Sequence, residues 1–544
     1  MKAFYKMIVA AVAAGVFVNA YSKVILPSFY ADNMVLQQKA LMTVKGKAIP
    51  NSTVKFKASW DNKTILAKAD AQGEFTIKFR VPAASMKAYK LSFSDGNGEK
   101  VLSDVYSGEV WFCSGQSNMQ MPVQGSWGLM NNYQEEIKNA NYPMIKLLSV
   151  AASGKNNHPA DDTDLRSNWV ACSPSTIPDF SALAYCFGRE LYKNLNIPIG
   201  LIQCAYGGSN AEAWVSLETA RTIPALKTQL DKCAQYDFHR DSVSKYLGMK
   251  NEFQVPTLLY NTMVHPMINF PIRGVIWYQG EANAWGSSYY TALMDSLISS
   301  WRKDWGYKFP FYTVQLAAYQ TPAEFQENSN WAALRWDQWK TSQQMDSTGM
   351  ATAVDVGNAT DIHPKNKQEV GRRLALIALK NTYGFDVVAD APKPVSYRFE
   401  YKKAYITFDK KIHVRNDSVP VGFRFKDRSY KRFYAATAKV VGDKTIEISV
   451  SQPLRPSAIY YNWADYPIGN IYGENNLPVL PFRTDQMNLI DDLVGIDNVR
   501  TDAGKSNNVY TTDGVLIKSD AGEQDMENLP KGICVIGNKK KLVK

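Results

Sequence analysis

The sequence predicts an α/β protein whose middle region is a parallel, doubly wound sheet and whose flanks are β-rich. Three observations predict it. Between residues 105 and 384, apolar strand-like runs alternate with helical segments, and strand-then-helix order implies a parallel sheet. On either side, short runs of alternating polarity are broken by turn residues, as in antiparallel sheets. The residues with unusual chemistry fall just past the apolar runs of the middle region, at the sheet edge where such folds bind ligands.

The 544 residues are too many for one ordinary domain. Lys2 and Lys6 precede an apolar run from Met7 to Val18, and small residues follow, so 1–22 reads as a secretory signal peptide. That run is shorter than the ~20 residues a membrane span needs, and no later stretch reads as a span. The expected product is exported, to the periplasm, the cell surface or the medium. Residues 23–104 read as an N-terminal β domain, with turns such as Asp95-Gly96-Asn97-Gly98. In 105–384, strands are expected at 109–113, 199–204, 274–278, 311–315 and 350–356, and helices at 182–195, 289–305, 334–345 and 366–380. Residues 385–483 read as a second β domain, and 484–544 as a tail of different character, possibly a sorting or accessory β domain.

Composition narrows the classes. The net charge of +11 is spread along the chain, with no basic block longer than Lys539-Lys540-Lys541, so nucleic acid is not an expected partner. The six cysteines, at 113, 172, 186, 204, 233 and 534, form no Cys-x-x-Cys motif and no disulfide framework. Buried free thiols are the simpler reading, and a Cys172–Cys186 pair is left open. Five histidines, at 158, 239, 265, 363 and 413, include no metal-ligand spacing. A zinc hydrolase is therefore not expected.

Four blocks carry chemistry. In Val110-Trp111-Phe112-Cys113-Ser114-Gly115-Gln116-Ser117-Asn118-Met119 an apolar strand runs into Gly and then Ser, which sets the Ser117 hydroxyl at the sheet edge. A serine hydroxyl needs a base to become a nucleophile. His363, in Asp361-Ile362-His363-Pro364, lies in a polar loop between a strand and a helix. Asp361 is two residues upstream and on the same side of an extended segment, placed to hold the imidazole tautomer. Ile202-Gln203-Cys204-Ala205-Tyr206-Gly207-Gly208-Ser209 leads a strand into paired glycines whose N–H groups are candidate oxyanion donors. Trp277-Tyr278-Gln279-Gly280-Glu281-Ala282-Asn283 again puts polar side chains past a strand. His265, after a helical stretch, reads as structural or substrate-side.

Together these blocks resemble the SGNH hydrolases, and most closely the sialate O-acetylesterase family. The matching stretches are 111–119, 205–214, 277–283 and 361–364, in family order, and the resemblance extends over roughly 24–483. It implies an SGNH-hydrolase-like three-layer α/β/α domain flanked by β-sandwich-like domains. It implies Ser117 as nucleophile and His363 as base, with the N–H groups of Ser117 and Gly208 in the oxyanion hole. The general pattern has Asp three residues before His, where this chain has Thr360. The acid is therefore Asp361 as first choice and Glu281 as second. The side-chain oxyanion donor is Gln279 or Asn283, and Gln116, Asn118, Trp214 and His265 are expected on the substrate side. The implied activity is cofactor-free hydrolysis of acetyl esters on sugars, with O-acetylated sialic acid as leading substrate and acetylated xylan or another plant polysaccharide as alternative. The reading of another class is a carbohydrate-binding protein whose catalysis has been lost. The oligomeric state is left open.

Overall fold

The computed structural model describes residues 24–61, 63–234, 251–285, 288–453 and 455–487, with five short strands beyond them. The signal-peptide segment lies outside the described residues. Two compact units form, one of Met1–Tyr319 with Ala333–Val387 and one of Gln320–Ala332 with Val388–Lys544.

In the first unit, the strands are β1 (Val35–Gln37), β2 (Leu41–Lys47), β3 (Thr53–Ala58), β4 (Thr64–Lys68), β5 (Glu74–Arg80), β6 (Ser85–Ser94) and β7 (Glu99–Gly115). After β7 come the short helix α1 (Ser117–Gln120), β8 (Tyr142–Val150), β9 (Leu165–Cys172), α2 (Ala182–Leu195), β10 (Ile199–Ala205) and β11 (Gly274–Tyr278). Then follow α3 (Tyr290–Trp305), β12 (Phe311–Gln315), α4 (Asn330–Gln344, which belongs to this unit from Ala333 on), β13 (Thr348–Thr352) and α5 (Lys367–Asn381). The main sheet has the order β13-β12-β11-β7-β10-β8-β9. All its neighbours pair in parallel except β8 with β9.

Strand β7 organises the unit. Its first half pairs antiparallel with β6, its middle pairs parallel with β1, and its second half is the centre of the parallel sheet. The boundary expected at 104/105 therefore falls inside one continuous strand. No turn interrupts the hydrogen-bonded backbone there, so the N-terminal strands β1, β3, β4 and β6 extend the same sheet, while β2 and β5 pair separately. Residues Val110–Gly115 are buried without exception. This is the continuous apolar run expected of a central parallel strand covered on both faces.

Neighbouring residues of β7 point to opposite faces and show what covers each. Trp111 packs on Phe187 of α2, with ring centroids 5.0 Å apart. Phe112 packs on Trp301 and Trp305 of α3, each at 5.8 Å. Helices thus lie on both sides of the sheet. Helix α2 starts at Ser181, whose hydroxyl accepts the Ala184 N–H at 3.1 Å, and α5 starts at Asn366, whose side chain accepts the Glu369 N–H at 3.1 Å. From the central β7 the chain goes to β8 on one side, returns to β10, and crosses to β11 on the other. The carboxyl end of β7 is therefore a switch point of the winding.

Cys113, Cys172, Cys186 and Cys204 are buried free thiols. The pairing of Cys172 with Cys186 left open by the sequence is not made. Cys186 instead faces α5, and Cys172 donates to the Ala140 carbonyl at 3.6 Å.

The second unit is built mainly of antiparallel strands, including Pro394–Glu400 with Lys403–Phe408, and Phe423–Asp427 with Pro456–Tyr461, with short parallel pairs at Ile490–Asp491 and Pro322–Ala323. The tail strands Val509–Thr511, Leu516–Lys518, Gly532–Ile536 and Lys539–Val543 make a four-stranded antiparallel sheet.

Helices α2 and α5 meet closely at Gly371. A Cβ there would lie 2.5 Å from the Cys186 Cβ and 2.9 Å from the Phe187 backbone nitrogen. Because backbone cannot yield cheaply, Gly371→Ala is expected to destabilise the first unit by about 1–3 kcal/mol. A thermal melt of the purified variant checks this, and an unchanged Tm would show that the two helices tolerate separation.

Candidate active site

The site starts from the exit of β7. Gly115 has φ +130°, and a Cβ on it would lie 2.1 Å from the Tyr278 carbonyl oxygen, so glycine is required. The Gln116 N–H donates to that same carbonyl at 2.9 Å, and the Tyr206 N–H donates to the Gly115 carbonyl at 3.0 Å. The turn carrying Ser117 is thereby stitched between the loops that follow β10 and β11. Ser117 is the first residue of α1 and half-buried.

Its hydroxyl lies 2.9 Å from His363 Nε2. The histidine loop is shaped by Asn358, whose side-chain oxygen accepts from the N–H groups of Thr360 at 2.8 Å and Asp361 at 3.0 Å. Asp361 Oδ1 accepts the His363 N–H at 2.9 Å and stands 3.4 Å from Nδ1. A carboxylate on Nδ1 favours the tautomer that leaves Nε2 free to accept the serine proton. Glu281, the second-choice acid, does not reach the imidazole. It is buried, and its Oε1 accepts from Asn118 Nδ2 at 2.6 Å.

The glycines after β10 divide the work. The Gly207 N–H donates to the Gln120 side chain at 2.9 Å. The N–H groups of Gly208 and Ser117 donate to no other described residue. Gly208 adopts φ +76°, and a Cβ on Gly207 would lie 3.4 Å from the Ser117 Cβ, so this turn lies against the serine.

Several residues expected to act on substrate are held elsewhere. Gln279 and Asn283 are buried and have their amide hydrogens engaged. Gln279 Nε2 donates to the Ser209 carbonyl at 3.1 Å and to Asn283 Oδ1 at 2.6 Å. Asn283 Nδ2 donates to both oxygens of Glu212, at 3.1 and 2.9 Å. They brace the loops beneath the serine rather than offering a side-chain oxyanion donor. Asn118 is fully buried between Glu281, the Ile362 carbonyl and Lys367. The Gln116 side chain accepts from the N–H groups of Gly280 and Ala282, each at 3.2 Å, and so clamps the turn after β11. Trp214 is a core residue, edge-on to Trp277 and donating to Ser209 Oγ at 2.9 Å. His265 Nδ1 meets the Ala160 carbonyl at 2.9 Å, and its ring lies against Tyr260. Tyr260 donates to Asp304, near the end of α3, which leads to the amino end of β12 and so to the sheet edge opposite Ser117.

Two residues at the site escaped the sequence reading. Lys367 opens α5 and is buried, and its ammonium donates to Asn118 Oδ1 at 2.6 Å. A lysine in the first turn of a helix normally reads as solvated, so only its spacing after His363 could have marked it. Trp127 sits at the tip of a turn closed by the Gly125 N–H to Gly128 carbonyl bond. It is 47% exposed, and its ring stands edge-on to His363 at 5.6 Å. A tryptophan held out in water between glycines was the available signal.

Electrostatics favour a neutral base. Burial lowers the His363 pKa, the Lys367 ammonium lowers it further, and Asp361 opposes both. Burial raises the Glu281 carboxyl, against its own backbone N–H, Asn118 and Lys367. Among the described residues no cluster of His, Cys, Asp and Glu is arranged to hold a metal ion.

Comparison with known proteins fits this arrangement. Residues 107–380 match the family model for "Carbohydrate esterase, sialic acid-specific acetylesterase". A sialate O-acetylesterase of Mus musculus is 27% identical over 495 residues, covering 80% of this chain and 89% of its own. The Homo sapiens sialate O-acetylesterase is 29% identical over 388 residues, covering 66% and 71%. A solved carbohydrate acetylesterase from Xanthomonas citri superposes with a TM-score of 0.74 at 34% identity, covering 85% of this chain and all of that one. The protein is a carboxylic-ester hydrolase acting on carbohydrates. It belongs to the sialic acid-specific acetylesterase family of carbohydrate esterases.

In the role of base expected of it, His363 works as the neutral imidazole. With its pKa held below the ordinary 6.5, the acid limb of kcat/KM is expected below that pH. Asp361→Asn removes the group that holds the pKa up, so the limb should move lower still. The same change should cut kcat about 10²–10⁴-fold through loss of the tautomer, and Glu281→Gln should cost less. A kcat/KM profile from pH 4 to 8 on one small acetyl ester tests both variants, and a larger loss in Glu281→Gln would transfer the role of acid to Glu281.

Proposed function

We propose that the chain is an exported SGNH-type serine esterase that removes acetyl groups from O-acetylated sialic acid. The contact between Ser117 Oγ and His363 Nε2, with Asp361 beyond the imidazole, carries this reading. His363 takes the Ser117 proton as the oxygen attacks the acetyl carbonyl. The N–H groups of Ser117 and Gly208 receive the oxyanion. His363 then protonates the departing sugar oxygen, and an acetyl-enzyme remains. Water, deprotonated by the same His363, attacks it, the bond to Ser117 Oγ breaks, His363 returns the proton to that oxygen, and acetate leaves. Protein groups supply every step, so activity should survive exhaustive chelation.

The sialate reading is supported by the curated relatives, each named a sialate O-acetylesterase. The solved relative at higher identity is named only a carbohydrate acetylesterase, and the second reading is a plant polysaccharide such as acetylated xylan. Trp127, exposed beside the base, suits either, because an aromatic face stacks on a sugar ring. The combination of Ser117, His363 and Asp361 in contact disfavours a binding protein without catalysis. The segment 1–22 supports export.

Acetate release should be measured on O-acetylated N-acetylneuraminic acid and on acetylated xylan, with Ser117→Ala as control. The sialic acid ester should give the higher kcat/KM, and Ser117→Ala should lose about 10⁴–10⁶ in kcat while keeping its melting profile. Preference for xylan would overturn the substrate assignment, and near-normal turnover by Ser117→Ala would overturn the mechanism.

A further inference from the structure

Behind the serine runs a chain of buried polar groups that the steps above do not use. Asn118, next to the nucleophile, is its hub. Its Oδ1 accepts from Lys367 Nζ at 2.6 Å, and its Nδ2 donates to Glu281 Oε1 at 2.6 Å and to the Ile362 carbonyl at 3.0 Å. One amide therefore joins four segments: the Ser117 turn, the start of α5, the turn after β11 and the residue preceding His363. Lys367, Asn118 and Glu281 are all buried, and Glu281 Oε2 has no hydrogen-bond partner among the described residues. The Lys367 ammonium also lies 5.4 Å from the centre of the Tyr278 ring. A buried ammonium is costly where an apolar side chain of like volume would pack without that penalty. Its retention here coincides with a second tie between the nucleophile and base segments, beside the Ser117–His363 contact.

We propose that Lys367 is a positioning residue for the esterase reaction: through Asn118 it holds the Ser117 turn and the His363 loop in register, and its charge acts on His363 from the buried side of the site. The inference rests on the reading of Ser117 and His363 as nucleophile and base. The groups facing Lys367 are Glu281 and the Tyr278 ring from β11 and its turn, Asp361 and His363 from the histidine loop, and Cys186 from α2. Burial lowers the Lys367 pKa to about 7, against the pull of Glu281, Asp361 and Cys186. The sign follows directly. On the acid side of about 7 the ammonium is charged and disfavours imidazolium. On the alkaline side it is neutral, where His363 is already a free base and needs no help.

Three variants separate the two parts of the role, each measured for kcat, KM and the pH profile on a small aryl acetate, with a thermal melt. Lys367→Gln keeps a donor for Asn118 and removes the charge. Its acid limb should move up toward the ordinary histidine value, by about half a unit or more, with kcat near wild type at pH 8. Lys367→Met removes both, and should lose about 10- to 100-fold in kcat with KM within a few-fold. Asn118→Ala cuts the tie but leaves the charge, so kcat should fall while the acid limb stays low. A folded Lys367→Gln with an unmoved limb, or a folded Lys367→Met or Asn118→Ala with full kcat, overturns the proposal. Failure of all three to fold also overturns it, in favour of a purely structural network. Ser117→Ala, run alongside, keeps the two readings apart. Turnover by that variant brings down the serine mechanism, whereas a dead Ser117→Ala beside unaffected Lys367 variants brings down only the role of Lys367.

Discussion

At Gly115 the backbone leaves β7 so close to the Tyr278 carbonyl that a Cβ would lie 2.1 Å from the oxygen, and the geometry of the site follows from that approach. With no side chain between them, the ends of β7 and β11 stay within hydrogen-bonding distance one residue beyond the sheet, where the Gln116 N–H still finds Tyr278. The Gln116 side chain then reaches across to Gly280 and Ala282. Gly280 itself sits at φ +148°, with a would-be Cβ 2.7 Å from Leu334. Two glycines without room for a methyl group thus set the height at which Ser117 stands above the sheet.

Below the serine, the polar side chains form a satisfied network. Gln279 accepts from Tyr290 at 2.9 Å while donating to Asn283, and Glu212 takes bonds from Asn283 and from Tyr289 at 2.8 Å. The Gln279 carbonyl accepts from Gln338 at 3.0 Å. In a medium of low dielectric such a network is rigid when every member is paired and costly when one is lost. It spans the loops after β10 and β11 and helices α3 and α4, so it fixes the two walls between which the nucleophile turn is held. The N–H groups of Ser117 and Gly208, proposed as oxyanion donors, gain from this. A backbone N–H serves best when the chain that carries it has no freedom to turn away.

The sheet was legible because buried parallel strands are continuous apolar runs. Gly274–Tyr278 and Phe311–Gln315 have the bounds expected of them, as does helix Ala182–Leu195. The contact between Ser117 and His363 was legible because few residue types can do nucleophile and base chemistry, and of the strands marked from sequence only 350–356 leads into a polar loop that holds a histidine. Direction was not legible. Past the end of a strand, a Gln or Asn aimed at the ligand and one aimed into the floor have the same sequence context, and Gln279, Asn283 and Asn118 all point into the floor. Trp214 failed for the same reason in apolar form, since its place in a family block says nothing of which way the ring faces. Strand β9 and the second half of β8 carry Lys146, Ser149, Arg166 and Asn168, and that polarity hid an edge hairpin from a search for apolar runs.

The imidazole is set by two charges in unlike surroundings. Asp361 is 40% exposed on its side chain, so water screens much of its attraction for a proton on His363. Lys367 is buried, and its repulsion is screened far less. Burial of the imidazole is the first cause of its lowered pKa and Lys367 adds to it, so the balance falls on the side of the neutral imidazole. Asp361 still orients the ring, because orientation depends on where its oxygens are held rather than on the strength of their field. The Asn358-capped turn and the His363 N–H hold them. Separating direction from charge in this way leaves Asp361 at an exposed rim, while the protonation state of His363 is governed from the buried side of the site.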